Sequence, residues 1–171
     1  NGNIQTSGSS ALSASSLATA MQKMRKQTAP NGSPLNLQPA VLIVTPALET
    51  TARELLNSSW VLRDQTIDRQ PMGNALQGIA SLEAESRLEL GCTAPTNGAT
   101  AQAGAATKWY LAAAPSALPA IVGFLQTGNG PSVETAGPDY NFSNPGMSVR
   151  CLLDAGFATG DFRAMQYSAG A

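Results

Sequence analysis

"GDFRAMQYSAGA", residues Gly160 to Ala171, closes the chain with Asp161, Phe162, Arg163, Met165 and Tyr167. Chain ends fray unless something ties them down, and aromatic or long apolar side chains left in water gain nothing from the hydrophobic effect. The segment is therefore expected to be anchored as the last strand of a sheet. Its expected partner is Met147–Leu153, where Met147, Val149, Cys151 and Leu153 alternate on one side and the DAGFATG stretch supplies the turn between the two strands. Asp161 and Arg163 lie two apart, so in a strand they share a face, where each can meet an opposite charge on a neighbouring strand or chain.

Working back toward the start, the first strong signal is Ser13 to Gln27, where Leu17, Ala20, Met21 and Met24 fall at helical spacing. Ser13 or a neighbouring serine can hold the free N–H groups of the first turn, and Lys23, Arg25 and Lys26 crowd the last turn, where cations meet the negative end of the helix dipole. The turn signal APNGSP follows, and then the β-branched run Ala40 to Val44, which reads as a buried strand. Thr45 and Pro46 predict a helix start, with Leu48, Ala52, Leu55 and Leu56 on the buried face and an end near Asn57 to Ser59. Ala80 to Leu90 alternates, which predicts one half-buried strand carrying Ser81, Glu83, Glu85, Arg87 and Glu89 on a charged face. Cys92 to Thr107 reads as a mobile loop, Lys108 to Ala113 and Ala120 to Gln126 as strands, and Gly128 to Gly146 as Gly- and Pro-rich connection. No repeat and no boundary divides the chain, so 1–171 is expected to be a single domain of the α+β class, a mixed sheet flanked by helices.

Composition narrows the chemistry. The 171 residues include no histidine, charged residues make up 12%, and the net charge is −1. No basic field is available for a phosphate backbone, so specific nucleic-acid binding is not expected. A Ser-His-Asp triad is impossible, and a Ser-Lys variant would have to draw on Lys23, Lys26 or Lys108 alone. Gly128 to Gly130 precedes no helix and reads as a turn, not a phosphate loop. Neither a catalytic group nor a cofactor nor a metal site is expected. The three carboxylates after Ser81 alternate on a wet face, which suits a subunit contact better than acid–base work. Cys92 and Cys151 are read first as buried small apolar residues, with pairing or reactivity as the alternatives. No apolar run approaches the roughly 20 residues that span a bilayer.

Two stretches carry a resemblance. "SLATAMQKMRKQTAPNGSPLNLQPAVLIVTPALETTARELLNS" and the ending "GDFRAMQYSAGA" with Val149 and Arg150 ahead of it resemble major capsid proteins of tailed phages and prophages. In the first, Leu42, Ile43, Val44, Pro46, Ala47, Leu48 and Glu49 follow the family's strand-to-helix pattern, with Thr45 where proline is common. In the second, Asp161, Phe162 and Arg163 form an Asp-aromatic-Arg triplet, and Gly170 and Ala171 the Gly-Ala terminus. Trp109 to Leu111 is a weaker point of likeness, and Cys151 to Leu153 depart from a more polar run.

The resemblance implies a Hong Kong 97-type capsid fold, of which this chain would be the axial domain with part of the peripheral domain. The N-terminal arm, extended loop and spine helix would precede Asn1. It implies a structural role: a head-shell subunit whose partners are copies of itself in hexamers and pentamers, a scaffold and a maturation protease, with packaged DNA enclosed and no membrane partner. The place of action would be the virion capsid, and the host bacterial cytoplasm before assembly. Arg53, Glu83, Glu85, Arg87, Asp161 and Arg163 are the candidate subunit-interface residues. The alternatives are another phage structural or adaptor protein, a free-standing binding module, or the maturation protease, against which the missing histidine speaks.

Overall fold

The computed structural model of the chain describes residues 3–5, 10–62, 71–93, 101–125, 130–136 and 148–170. Two units form: Asn1–Ala120 together with Asp161–Ala171, and Ile121–Gly160. In chain order the first contains β1 (Ile4–Gln5), α1 (Ala14–Arg25), β2 (Pro39–Val44), α2 (Glu49–Asn57), β3 (Trp60–Leu62), β4 (Pro71–Gly73), β5 (Ser81–Ala84), α3 (Ser86–Leu90) and β6 (Trp109–Ala113). The second contains β7 (Ile121–Leu125), β8 (Ser132–Ala136), β9 (Ser148–Leu152) and β10 (Ala155–Thr159), and β11 (Met165–Ser168) returns to the first. The result is a mixed α+β chain.

Helix α1 starts as the serines predict. Ser13 Oγ accepts from the Ser16 N–H at 3.2 Å while Ser16 Oγ accepts from the Ser13 N–H at 2.9 Å, so two otherwise free donors are satisfied reciprocally. Leu17, Ala20 and Met24 face the core, and Lys23 and Arg25 stand in the last turn. At Thr45 the local reading needs correction. Pro46–Leu48 is a single 3₁₀ turn ahead of α2, and the Thr45 hydroxyl caps nothing; it is buried and donates to the Ala106 carbonyl at 2.5 Å, tying β2 to the approach of β6. Helix α2 ends at Asn57 and buries Ala52 and Leu56.

The five-stranded sheet has the order β1-β11-β6-β2-β5. Strand β11 pairs antiparallel with β6 and parallel with β1, while β2 pairs antiparallel with β6 and parallel with β5. This overturns the expected pairing of the last strand with Met147–Leu153. The DAGFATG region is not a turn: Ala155–Thr159 is itself a strand, paired with β7, and β9 pairs with β8 inside a stretch read as Gly- and Pro-rich connection. Adjacency in sequence suggested a hairpin, but Trp109–Ala113, with its own alternation of buried side chains, is the partner taken.

One face of this sheet is the core. Register sets Gln5, Ser168, Trp109, Val44 and Ala84 in one row across it, and Gln166, Leu111, Leu42 and Leu82 in the next. Leu17, Ala20 and Met24 of α1 and Ala52 and Leu56 of α2 pack on these rows together with Leu12, Leu37 and Ala113. Each large aliphatic side chain fully buried there contributes about 1.5–3 kcal/mol. α1 lies against β11 and α2 against β5, so the helices cover the two ends of one face. The Trp109 indole N–H donates to the Ser10 carbonyl at 2.9 Å, and the Ser168 hydroxyl donates to the same carbonyl at 2.7 Å. The opposite face carries Val41, Ile43, Tyr110, Ala112, Met165 and Tyr167, all half-buried, with the Tyr110 and Tyr167 rings 5.1 Å apart. Burial, reinforced by the Tyr167 phenol, pushes the Tyr110 phenol above the ordinary tyrosine value.

Ala80 to Leu90 is not one strand. β5 stops at Ala84, and Glu85 turns the chain by accepting from the Arg87 N–H at 3.0 Å, so that Ser86–Leu90 forms a short helix closed by Gly91 at φ 78°. A carboxylate at a helix start followed by good helix formers outweighs the alternation of apolar residues. Of the expected loop Cys92–Thr107, residues 94–100 lie outside the described residues; Cys92 and Gln102 exchange two backbone hydrogen bonds across it. Met147 and most of the GNG turn also lie outside them.

The chain's last residues are held as expected, though by other partners. The Tyr167 N–H donates to the Asn3 carbonyl at 2.8 Å, and Thr107 Oγ1 donates to the Ala169 carbonyl at 2.9 Å. Gly170 sits at φ 74°, and a Cβ there would collide with the Thr107 carbonyl. Gly170→Ala should therefore lower stability by about 1–3 kcal/mol, read as a drop in Tm. The Gln166 side chain is buried, and neither its Nε2 nor its Oε1 has a partner among the described residues. Gln166→Met keeps the shape and removes the orphaned carboxamide, so it should raise stability by about 1–2 kcal/mol in denaturant unfolding. Because the folded-state pKa of Tyr110 lies above its unfolded value, stability holds below pH ~10 and falls as pH climbs through the raised value. Melts between pH 9 and pH 12 should show this loss in the wild type and less of it in Tyr110→Phe.

Candidate assembly surfaces

Four of the six residues singled out from sequence come together at one edge of the five-stranded sheet. Arg53 lies on α2, which packs against edge strand β5; Glu83 is on β5 itself; Glu85 and Arg87 stand at the β5–α3 junction. They do not share one strand face, because the chain turns at Glu85. Arg53 is held by Glu49 one helical turn away, at 2.7 Å, and Arg87 lies 3.8 Å from Glu85. Both pairs are solvent-exposed and worth a few tenths of a kcal/mol. Glu89 Oε2 accepts from the Ala47 N–H at 3.3 Å and ties α3 to the turn before α2. Glu83 and Glu54 have no cationic partner among the described residues.

Asp161 and Arg163 stand elsewhere, in the turn that leads into β11. Asp161 Oδ1 accepts from the Arg163 N–H at 2.9 Å, and Oδ2 pairs with the Arg163 guanidinium at 3.2 Å. The guanidinium also lies 5.3 Å from the centre of the Phe162 ring. The Asp161 N–H donates to the Pro119 carbonyl at 3.1 Å, fixing the turn to the end of the β6–β7 connection. The Asp-aromatic-Arg triplet thus closes on itself: acid, ring and base serve one tight turn, while half of Phe162 stays exposed.

The second unit presents a different surface. β7 and β10 form a two-stranded antiparallel ribbon, and β8 and β9 another. Register places Ile121, Leu125 and Phe157 on one face of the first ribbon and Val122 and Phe124 on the other, with Phe124 across from Gly156 and Phe157 across from Gly123. All five of these apolar side chains are exposed, Phe157 by 79% and Phe124 by 60%. Val133, Val149 and Leu152 are exposed in the second ribbon, beside the Glu134–Arg150 ion pair, and Leu153 is exposed just past its end. The sequence held the signal: neither 121–125 nor 155–159 contains a charged residue, and apolar residues fall on both faces instead of alternating. Reading 121–125 only as a strand and 155–159 as a turn missed that consequence.

Cys92 and Cys151 are free thiols on exposed residues, which corrects their reading as buried apolar side chains. Cys151 belongs to ribbon strand β9, where no layer covers it within the unit. Among the described residues no three His, Cys, Asp or Glu side chains gather where one ion could be held, and no helix is long and apolar enough to cross a membrane. A hollow of about 160 Å³ beside Phe124, Asp154, Ala155 and Gly156 is smaller than ordinary small-molecule sites. The surfaces with most to offer a partner are therefore the open strand edges and the apolar ribbons.

Compared with known proteins, the sequence finds no match among curated proteins and none among solved structures. A family model does match: residues 1–168 fit the phage capsid protein family. That covers the core sheet, both longer helices and both ribbons. The chain belongs to the phage capsid protein family, a structural and non-enzymatic kind of protein whose place is the virion capsid.

Proposed function

We propose that this chain is a major capsid subunit of Hong Kong 97 type, supplying the axial domain with part of the peripheral domain, and that copies of it build the icosahedral head shell of a tailed phage or prophage. Assembly takes place in the host bacterial cytoplasm with a scaffold and a maturation protease as partners. DNA is enclosed by the shell, not recognised by it. The mixed sheet with helices over one face is compatible with such a domain.

The observation that carries this reading is the β7–β10 ribbon. A lone two-stranded ribbon is at best marginal in water. This one leaves apolar side chains exposed on both faces and carries no charge that would keep neighbours away. Such a surface suits a subunit that meets others over a large area. Substrate-directed chemistry would need a cavity and convergent polar groups instead.

The test is assembly. Expressed with the phage's scaffold and protease, the protein should give closed particles by electron microscopy and a fast-sedimenting species. Ile121→Asp combined with Leu125→Asp places two charges on one exposed ribbon face, and as surface changes they should shift Tm little. Particle yield should nevertheless fall at least about tenfold, since an unpaired charge buried at an interface costs several kcal/mol. Wild-type protein that yields only small, non-closing complexes would sink the shell reading and favour an adaptor or binding module.

A further inference from the structure

The charges of the first unit are sorted by side. Lys23, Arg25 and Lys26 lie at the end of α1, and α1 packs against β11. None of the three has a carboxylate partner among the described residues. On α2, β5 and α3, five carboxylates (Glu49, Glu54, Glu83, Glu85, Glu89) stand with two guanidinium groups (Arg53, Arg87), so those elements carry −3 where α1 carries +3, and Lys108, held at the Ala103 carbonyl beside α3, brings one cation near them. β11 and β5 are separated by β6 and β2. Three strand spacings of about 4.8 Å put roughly 14 Å between their axes, well past the ~8 Å Debye length at physiological ionic strength. Within one chain no ion pair joins the two groups among the described residues.

We infer that the α1 side of one copy docks against the β5 edge of the next, head to tail, with Lys23, Arg25 and Lys26 meeting the carboxylates that flank that edge: Glu54 on the α2 side of the sheet, Glu83 on its other face, and Glu89 beyond them on α3. The inference rests on the reading of the chain as a self-assembling shell subunit and names the contact. Three features support a second copy as the occupant. The charges are opposite in sign, so one copy supplies what the other lacks. The outer edge of β5 has no strand partner among the described residues. Apolar surface accompanies both sides: Leu90 of α3 is 84% exposed, while Ile4 of β1 and Phe162 of the closing turn are about half exposed at the β1–β11 end. A contact between two different patches of one chain is heterologous, and it closes into a ring wherever the rotation between copies allows. Lys23 and Arg25 also favour the end of their own helix. That local role does not depend on the acidic side, which makes the two roles separable.

The experiment is a charge swap read by sedimentation velocity at low ionic strength. One variant carries Lys23→Glu, Arg25→Glu and Lys26→Glu; the other carries Glu54→Lys, Glu83→Lys and Glu89→Lys. Each alone should associate at least about tenfold more weakly than wild type, and an equimolar mixture should recover association, because each variant then offers the charge its neighbour needs. Wild-type association should fade toward 1 M salt, where the Debye length is about 3 Å. A Lys23→Gln, Arg25→Gln, Lys26→Gln variant, checked by circular dichroism, should show an intermediate loss without like-charge repulsion. Folded variants that associate like wild type, a mixture no better than its parts, or a wild type monomeric at low salt would each overturn the contact. Particles that still form from the swapped variants would overturn the contact while leaving the shell reading intact.

Discussion

Strand β6 must have a partner on each of its edges, and most of the first unit follows from that. β2 takes one edge and β11 the other, so segments far apart in sequence arrive side by side in fixed register. Trp109, the largest fully buried side chain, stands where both ladders meet. Its indole N–H is the one polar atom it brings inside, and an unmade hydrogen bond there would cost about 1–3 kcal/mol. The Ser10 carbonyl meets it and at the same time accepts from Ser168. One backbone carbonyl therefore fastens the segment before α1 to the middle of the sheet and to the last strand. The end of the chain is ordered for this reason, and so the closing residues can afford large side chains.

The local elements were legible in the sequence because local physics sets them. Ser13 or a neighbouring serine marks a helix start, and the runs 40–44 and 109–113 declare strands by their side chains alone. Which strand lies beside which was not legible. The alternation of Met147–Leu153 looks like a partner for the last strand, yet such a pattern says only that a strand exists and nothing about its neighbour. Ala80–Leu90 shows a second limit. Period two fits Leu82, Leu88 and Leu90 throughout, yet the strand stops at Ala84, where the Glu85 carboxylate accepts from a backbone N–H two residues on and starts a helix. Among the candidate contact residues, Arg53, Glu83, Glu85 and Arg87 gather at one edge, whereas Asp161 and Arg163 are consumed by a turn whose geometry no spacing reveals.

The two ribbons pose an energetic problem that the first unit does not have. In the sheet of the first unit, polar or half-buried residues face away from the core, so one covered face suffices. In β7 and β10 both faces are apolar, and cross-strand packing supplies only Phe124 over Gly156 and Phe157 over Gly123. Those pairs shield glycine backbone but bury little of either ring. A ribbon of this composition gains its stability when something lies on each side of it. For a protein whose family builds shells this is an economical arrangement: the element is poorly satisfied until neighbours arrive, so folding and association reinforce each other.

Apolar area and charge do different work in such an association. Apolar contact supplies most of the free energy but discriminates weakly between orientations, because water leaves the surface whichever way the partner approaches. A protein of net charge −1 has almost no long-range repulsion to keep copies apart. Something else must reject the wrong approaches. Like charges brought together cost several kcal/mol, so a body positive on its α1 side and negative on its β5 side penalises side-to-same-side contact and admits the head-to-tail one. The exposed ion pairs Arg53–Glu49 and Arg87–Glu85 add little to folding. Each pair cancels one carboxylate of the β5 side, which brings that side closer to the charge the three cations of α1 can meet.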